Sequence, residues 1–421
     1  MLSPAFPIET VRGQFPALRS GGNLFLDNPA GTQVPQRVLD AITGCMTNDC
    51  ANLGGHFRQS LRADEIKDSA HAKVAMFLGA PSPDEIAIGP SMTELTFQIS
   101  RALARAFAPG DEIVVTSMDH EGNISPWLIA AKDFGLTVRW VAFDEESWRI
   151  EPEALAAVLT DRTRVVALNY ASNMTGSIND VRALTAMVHE AGALVYVDAV
   201  QFAPHGLVDV VELDCDFLVC SAYKFFGPHL GLLWGREALL HDLAADRLRC
   251  GPTGPGAKFE RGTPQIELLA GLSASIDHFE WLGRTLGDDG SARSAITTAF
   301  AASREYEHAL TCHLVDGLQA IDGVAIKGIT TSNRMYDRVP TISLTCANRS
   351  CDSLAAGLAR RGINAWSGHN YALAGAEQLG LDLADGVLRL GLAHYNTESE
   401  VEATLEVLRE ECSARGNGTG A

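Results

Sequence analysis

The sequence predicts an α/β protein: a large domain built on a mainly parallel seven-stranded sheet, followed by a small C-terminal α+β domain. Three observations predict it. From about Pro81 short β-branched runs alternate with longer amphipathic segments, the signature of crossover units in a parallel sheet. A chain of 421 residues, 46% hydrophobic, is long enough for two cores. After the Gly/Asp-rich stretch Gly287–Ser291 the pattern changes to a long helix with three further strands.

Seven strands are expected in the large domain. Glu85–Gly89, Ile113–Thr116, Thr137–Val141, Arg164–Leu168, Ala193–Val197 and Phe217–Val219 are each followed by loop or helix signals, and Gly231–Trp234 reads as a returning strand. The Gly/Pro-rich segment Gly251–Gly256 is a loop, as is Gly287–Ser291, and both are suited to lids or subunit contacts. The expected division is residues 1–25 as an N-terminal segment packing with the small domain, 26–286 as the large domain and 287–421 as the small one. The small domain should hold a helix around Ser303–Leu318 and strands at Val324–Ile326, Thr341–Leu344 and Val387–Leu390. No internal repeat is visible, and the Gly-rich tail Gly416–Ala421 is expected to be disordered.

Composition excludes several classes. Lys plus Arg total 33 against 52 Asp plus Glu, a net charge of −19 that argues against nucleic acid as partner. The opening Met1–Pro7 is short and broken by proline, and no apolar stretch reaches membrane-spanning length, so a soluble, cytoplasmic protein is expected. Nine cysteines, an odd number without a CxxC pair, indicate neither a disulfide framework nor a metal site. Cys215 and Cys220 read as core thiols.

The chemistry centres on Lys224, which closes the apolar run Cys215–Tyr223. A second run, Val195–Gln201, ends on Asp198 and Gln201. A lysine at a strand mouth commonly snorkels to water. Paired with a carboxylate delivered by the next strand, it instead suggests a pyridoxal 5′-phosphate (PLP) pocket. The amine there is a Schiff-base nucleophile and the acid is partner to the pyridine nitrogen. Ser91-Met92-Thr93 follows a strand and opens an amphipathic helix, so its amides and hydroxyls make a phosphate site; simple N-capping is the rival explanation. Ser221 adds a phosphate contact from the sheet side. His120, just after the Val114-Val115 strand, is placed to lie on a cofactor ring, and Asn173 and Gln201 to bond its phenolic oxygen. Each stands at the C-terminal end of an expected parallel strand, where open α/β sheets bind ligands.

At this point the chain resembles the PLP-dependent fold type I enzymes, specifically class-V aminotransferases and their cysteine desulfurase-like group. The resemblance runs from Leu26-Asp27-Asn28-Pro29-Ala30-Gly31-Thr32 to Leu390–Thr397, with Tyr196–Gln201 and Ser221–Lys224 as its specific block. It implies that Lys224 is the Schiff-base lysine, Asp198 the pyridinium partner, His120 the stacking ring, and Asn173 and Gln201 the phenolate contacts. Ser91, Met92, Thr93, Ser221 and Tyr223 would surround the phosphate. Thr263, in Arg261–Gln265, would reach the neighbouring subunit's phosphate, which implies a homodimer with a shared active site. Asn28 and Arg389 would bind substrate, Arg389 by its α-carboxylate, a task that suits a planar bidentate donor.

The likeness breaks in one loop. Cysteine desulfurases carry a nucleophilic cysteine before the Arg389 strand; here Ala365–Leu373 places Tyr371 at that point and Trp366 where a second arginine is common. A phenol is a poor sulfur acceptor but a usable acid, base or binding group. The reading is a branch without the catalytic cysteine that performs Cα chemistry on an amino acid, with C–S β-elimination of cysteine or a cysteine S-conjugate favoured. Lys224, His120 and Tyr371 are the expected catalytic residues, and Trp366 joins the substrate contacts. Transamination and epimerisation start from the same deprotonation and stay open. So does a PLP-binding scaffold without catalysis.

Overall fold

All seven expected strands form one sheet in the computed structural model, which describes residues 6–19 and 21–413. Their order is Ile86–Gly89, Gly231–Gly235, Phe217–Ser221, Leu194–Asp198, Thr163–Asn169, Glu112–Thr116 and Thr137–Val141. Only Gly231–Gly235 runs against the other six. It is the expected return strand, and it makes the sheet mixed. Except at Thr137–Val141 on the edge, the strands are almost wholly buried, which fits apolar runs covered on both faces by helices. Glu112 sits buried at the start of its strand because Arg139 and Arg162 neutralise it and Thr160 donates to it.

Helix Met92–Ala104 crosses the sheet, its Ser91 hydroxyl accepting the Glu94 N–H at 3.1 Å. It starts unusually close to the return strand. A Cβ on Gly231 would lie 2.1 Å from the Ser91 carbonyl carbon, so only glycine allows the helix N-terminus to rest on that strand.

The smaller sheet is antiparallel, in the order Trp366–Gly368, Val387–Gly391, Thr341–Cys346, Val324–Lys327. Trp366–Gly368 was not foreseen, since three residues ending in glycine carry no strand periodicity. The helix expected around Ser303–Leu318 begins already at Ala292, capped by the Ser291 hydroxyl. Its first turns are small residues with little periodic signal. Their apolar members Ile296, Ala299 and Phe300 pack into the large core, whereas Leu310, Leu314, Val315 and Leu318 pack into the small one. One helix therefore ties both cores together across the expected boundary.

The N-terminal segment was expected against the small domain; it divides between the two. Leu24–Phe25 pairs in parallel with Ile363–Asn364, and Leu26 joins the small core. Val11 and Phe15, however, pack into the large core, where the Phe15 ring meets Phe226 and Tyr395 edge-on. The tail Gly416–Ala421 lies outside the described residues.

Beside Phe15 lies a buried pair, His278 and His394, with their Nε2 atoms 3.1 Å apart and both Nδ1 atoms unpartnered. Burial pushes His394 down to about 3 and holds His278 well below the usual histidine range. Both stay neutral when folded, so unfolding takes up protons as pH falls from about 6.5 toward 3. Their cost to the fold is absent above about 6.5 and grows below it, by up to about 1.4 kcal/mol per pH unit for each histidine. Urea melts of His394→Leu should therefore lose stability less steeply between pH 6.5 and 4 than the parent, by about one proton. Parallel slopes would contradict this.

Candidate active site

The parallel strands deliver their C-terminal residues to one edge, and a cavity of about 700 Å³ opens there. Lys224 ends a single 3₁₀ turn directly after Phe217–Ser221. Its side chain is 9% exposed, and its amine donates to the carbonyl of Pro29. Burial and the nearby positive charge of Arg389 bring its pKa down to about 7, with Asp198 opposing them. Asp198 closes the adjacent strand, and its Oδ1 accepts the Val200 N–H at 2.8 Å. Burial lifts its carboxyl to about 7, against that bond and the charge of Lys224. A buried acid and a buried amine thus titrate in the same range and share one electrostatic environment.

His120 caps the turn after Glu112–Thr116. Its Nδ1 accepts the Gly122 N–H at 2.8 Å, so in the neutral ring the proton is on Nε2. Burial, Lys224 and Arg389 hold it down to about 4, so the ring is neutral at physiological pH. The turn is braced from below by buried Asp119, which accepts from the Thr116 hydroxyl and from Asn123 at 2.6 Å. The Tyr371 ring lies 5.4 Å from His120 at 28°.

Arg389 enters from the small sheet, 5% exposed, and donates through Nη1 to the Asn173 carbonyl at 3.0 Å. Its Nε is buried and unpartnered. Burial lowers it only to about 10, so it remains a cation. Asn173 gives its amide N–H to the Asn370 carbonyl at 2.8 Å, and Gln201 gives its own to the Thr341 hydroxyl at 2.8 Å. The other end of each amide is buried without a partner. Such atoms carry a desolvation cost that a polar ligand removes.

The cavity therefore unites Ser91, Met92, Thr93, His120, Asn173, Asp198, Gln201, Ser221, Tyr223, Lys224, Trp366, Tyr371 and Arg389, all of them singled out from sequence. Two singled-out residues stay away. Asn28 is buried, its amide donating to the Phe25 and Gly391 carbonyls and to Asn396, while its oxygen accepts from Tyr395. With every polar atom bonded, it is a brace and no substrate contact within this chain. Thr263 lines a separate depression with Cys45, Cys50 and Pro264. The neighbouring Arg261 pairs with Glu94 on the first turn of Met92–Ala104. Asn169, Leu383 and the Pro29 carbonyl belong to the site but were not foreseen. Asn169 was within reach of the strand-end rule, since it closes Thr163–Asn169; a backbone carbonyl leaves no trace in side-chain chemistry.

The class-V aminotransferase family matches residues 24–404. The chain is a class-V aminotransferase family member. It is 35% identical to the aminotransferase-like protein FGM3 of Gibberella zeae, over 97% of this chain and 99% of that protein. It is 30% identical to a cysteine desulfurase of Serratia proteamaculans, over 94% and 96%. Among solved structures it resembles the cysteine desulfurase of Thermococcus onnurineus, with TM-score 0.86, 26% identity and coverage of 97% and 99%. The Escherichia coli cysteine desulfurase CsdA matches with TM-score 0.82 at 28% identity, covering 97% and 98%.

The cofactor of this family is PLP, and the donor set here fits it. First-turn amides beside Ser91 and Thr93 suit a phosphate, buried Asp198 suits a protonated ring nitrogen, and the half-free amides of Asn173 and Gln201 suit a ring oxygen. Lys224 is poised as an amine that sheds its proton near neutrality.

The neutral amine is the reactive form, so the rate of PLP capture by cofactor-free protein should rise about tenfold per pH unit below 7 and flatten above it. Arg389 lowers the lysine and Asp198 raises it, so Arg389→Gln should move the midpoint up and Asp198→Asn should move it down. Stopped-flow absorbance reads all three profiles. A wild-type rate still climbing through pH 10 would contradict the assignment.

Proposed function

We propose that this protein is a PLP-dependent enzyme of the branch without the catalytic cysteine, and that it cleaves the C–S bond of cysteine or a cysteine S-conjugate by β-elimination. The observation that carries the reading is the make-up of the cavity. Lys224, Asp198, His120 and Arg389 converge there, yet among the described residues no cysteine lines it. Cys346 and Cys351, the cysteines nearest in sequence to the loop, are buried in the small core. Tyr371 stands at the mouth instead, 66% exposed.

In this reading Arg389 takes the α-carboxylate as a fixed cation, helped by its unpartnered Nε. Bound PLP supplies an electron sink at the substrate's amine. Lys224 removes the Cα proton, a role suited to an amine whose pKa lies near 7. The Cβ–S bond then breaks, sulfur leaves with its electron pair, and the Tyr371 hydroxyl is assigned to protonate the departing thiolate; Tyr371 lines the cavity, which supports that role. Addition of water releases pyruvate and ammonia, so one conjugate and one water yield one thiol, one pyruvate and one ammonia.

A homodimer with a shared site completes the proposal. Thr263 does not line the cavity of its own chain, and Leu39 and Met46 stand exposed on helix Gln36–Asn48, with Leu61 on helix Arg58–Leu78 and Phe57 just before it. All nine cysteines are free thiols, which supports a reducing, cytoplasmic setting.

Protein purified with PLP should be yellow, with a band lost on borohydride reduction and absent in Lys224→Ala, whose turnover should fall by about 10²–10⁴-fold. Cysteine and a cysteine conjugate should release pyruvate without alanine. Alanine from cysteine would instead mean desulfuration, and amino transfer to a keto acid would mean transamination; a coloured protein that turns over none of these is a scaffold. Tyr371→Phe should slow release of an alkyl thiol more than that of an aryl thiol, which leaves without a proton.

A further inference from the structure

Trp366 and Arg389 face each other directly in the antiparallel pair of Trp366–Gly368 with Val387–Gly391. Opposed residues project from the same face with Cβ atoms about 4.5–5.5 Å apart, and both side chains line the cavity. Their burial is opposite: Arg389 is sunk, whereas Trp366 is 53% exposed. Tyr371 and Leu383, the latter 39% exposed, are the other large apolar residues exposed around the opening. The side chains of the three lie outside the hydrophobic cores.

Tyr371 is also held in place. Asn370 and Tyr371 both adopt left-handed backbone, with φ of 52° and 60°, an uncommon conformation for such residues that the surroundings must maintain. The Tyr371 carbonyl accepts the Glu121 N–H at 2.7 Å, the Asn370 carbonyl accepts from Asn173 at 2.8 Å, and the Asn370 amide returns to the Gly368 carbonyl at 2.8 Å. The loop is thereby fastened to the His120 turn and the Asn173 turn. That fastening of the backbone sets the phenol on the wall of the cavity.

We infer that Trp366, Tyr371 and Leu383 form a specificity collar for an amino acid whose β-sulfur bears an aromatic or large apolar group. The α-carboxylate is held by Arg389, and the group lies against the Trp366 indole. The inference deepens the reading of Arg389 as carboxylate clamp and rests on it. A cavity of about 700 Å³ is within the range that encloses drug-sized ligands, and a methyl-sized substituent would leave the collar wet. An aromatic substituent covers the indole and gains ring contact beyond plain burial.

The test is binding, not turnover. Benzylsulfanylpropanoate and methylsulfanylpropanoate, both substituted at C3, carry the carboxylate and the sulfur but no amine, so neither reacts with the cofactor. In calorimetry on the PLP-loaded protein the benzyl acid should bind about tenfold tighter than the methyl acid. Trp366→Phe should keep that preference, Trp366→Ala should bring the two acids within about twofold, and Arg389→Gln should weaken both. The exposed Trp366 can be replaced without loss of the fold, which an unchanged Tm would verify. Equal affinities in the parent, no binding of the benzyl acid, or a preference that survives in Trp366→Ala would overturn the inference. No bond is broken in the assay, so a failure of the β-elimination reading appears separately, as absence of pyruvate.

Discussion

A lysine ammonium is costly to bury, and Lys224 is buried with a cation on one side and an anion on the other. The rest of the site is arranged around that amine. Asp198 limits the cost, Arg389 increases it, and the Pro29 carbonyl accepts the N–H that remains. The Pro29 carbonyl is in place because the N-terminal segment is braced against the C-terminal loop. Asn28 ties Phe25, Gly391, Tyr395 and Asn396 together, and Gly391 has no Cβ to strike the proline ring, from which one would lie 2.2 Å. Asn28 therefore supports the site through the backbone of its neighbour, without reaching the cavity itself.

The two sheets meet over the turn at residues 173–176. Ser343 donates to the Met174 carbonyl at 2.7 Å, Arg338 donates to that of Thr175 at 3.2 Å, and Arg389 to that of Asn173. Three side chains from the small domain thus satisfy consecutive carbonyls of the large one. A buried carbonyl without a donor is expensive, so the relative placement of the sheets follows from satisfying these groups. The helix Ala292–Gln319, with one end in each core, adds a rigid connection. The substrate's expected carboxylate clamp and its expected base come from different sheets, and this junction sets the distance between them.

Within the wider family the same frame serves cysteine desulfurases, as the matches to solved structures of that activity show. The present chain brings Lys224, Asp198 and Arg389 together in one cavity and presents a phenol and an indole at its mouth. Those residues lie on the short strand Trp366–Gly368 and the loop after it, a part of the molecule that contributes little to either core. Change there costs the fold little, which is why such a loop can alter the reaction while the scaffold persists.

The strands and the residues at their C-terminal ends were legible in the sequence because both depend on local pattern. An apolar run buried on both faces is contiguous in sequence, and in a parallel sheet its last residues necessarily reach the ligand edge. Lys224, Asp198, His120 and Asn173 were found in this way. What depended on contacts between distant segments was not legible. Asn28 meets its partners some 360 residues away, and Trp366 stands beside Arg389 only through the register of a strand too short to announce itself. The chain by itself thus determined the sheet and the chemistry at its edge, because periodicity and residue type are local. Only tertiary structure decided which side chains brace that chemistry and which wall the substrate will meet, because long-range register and the satisfaction of buried polar groups are properties of the packed whole.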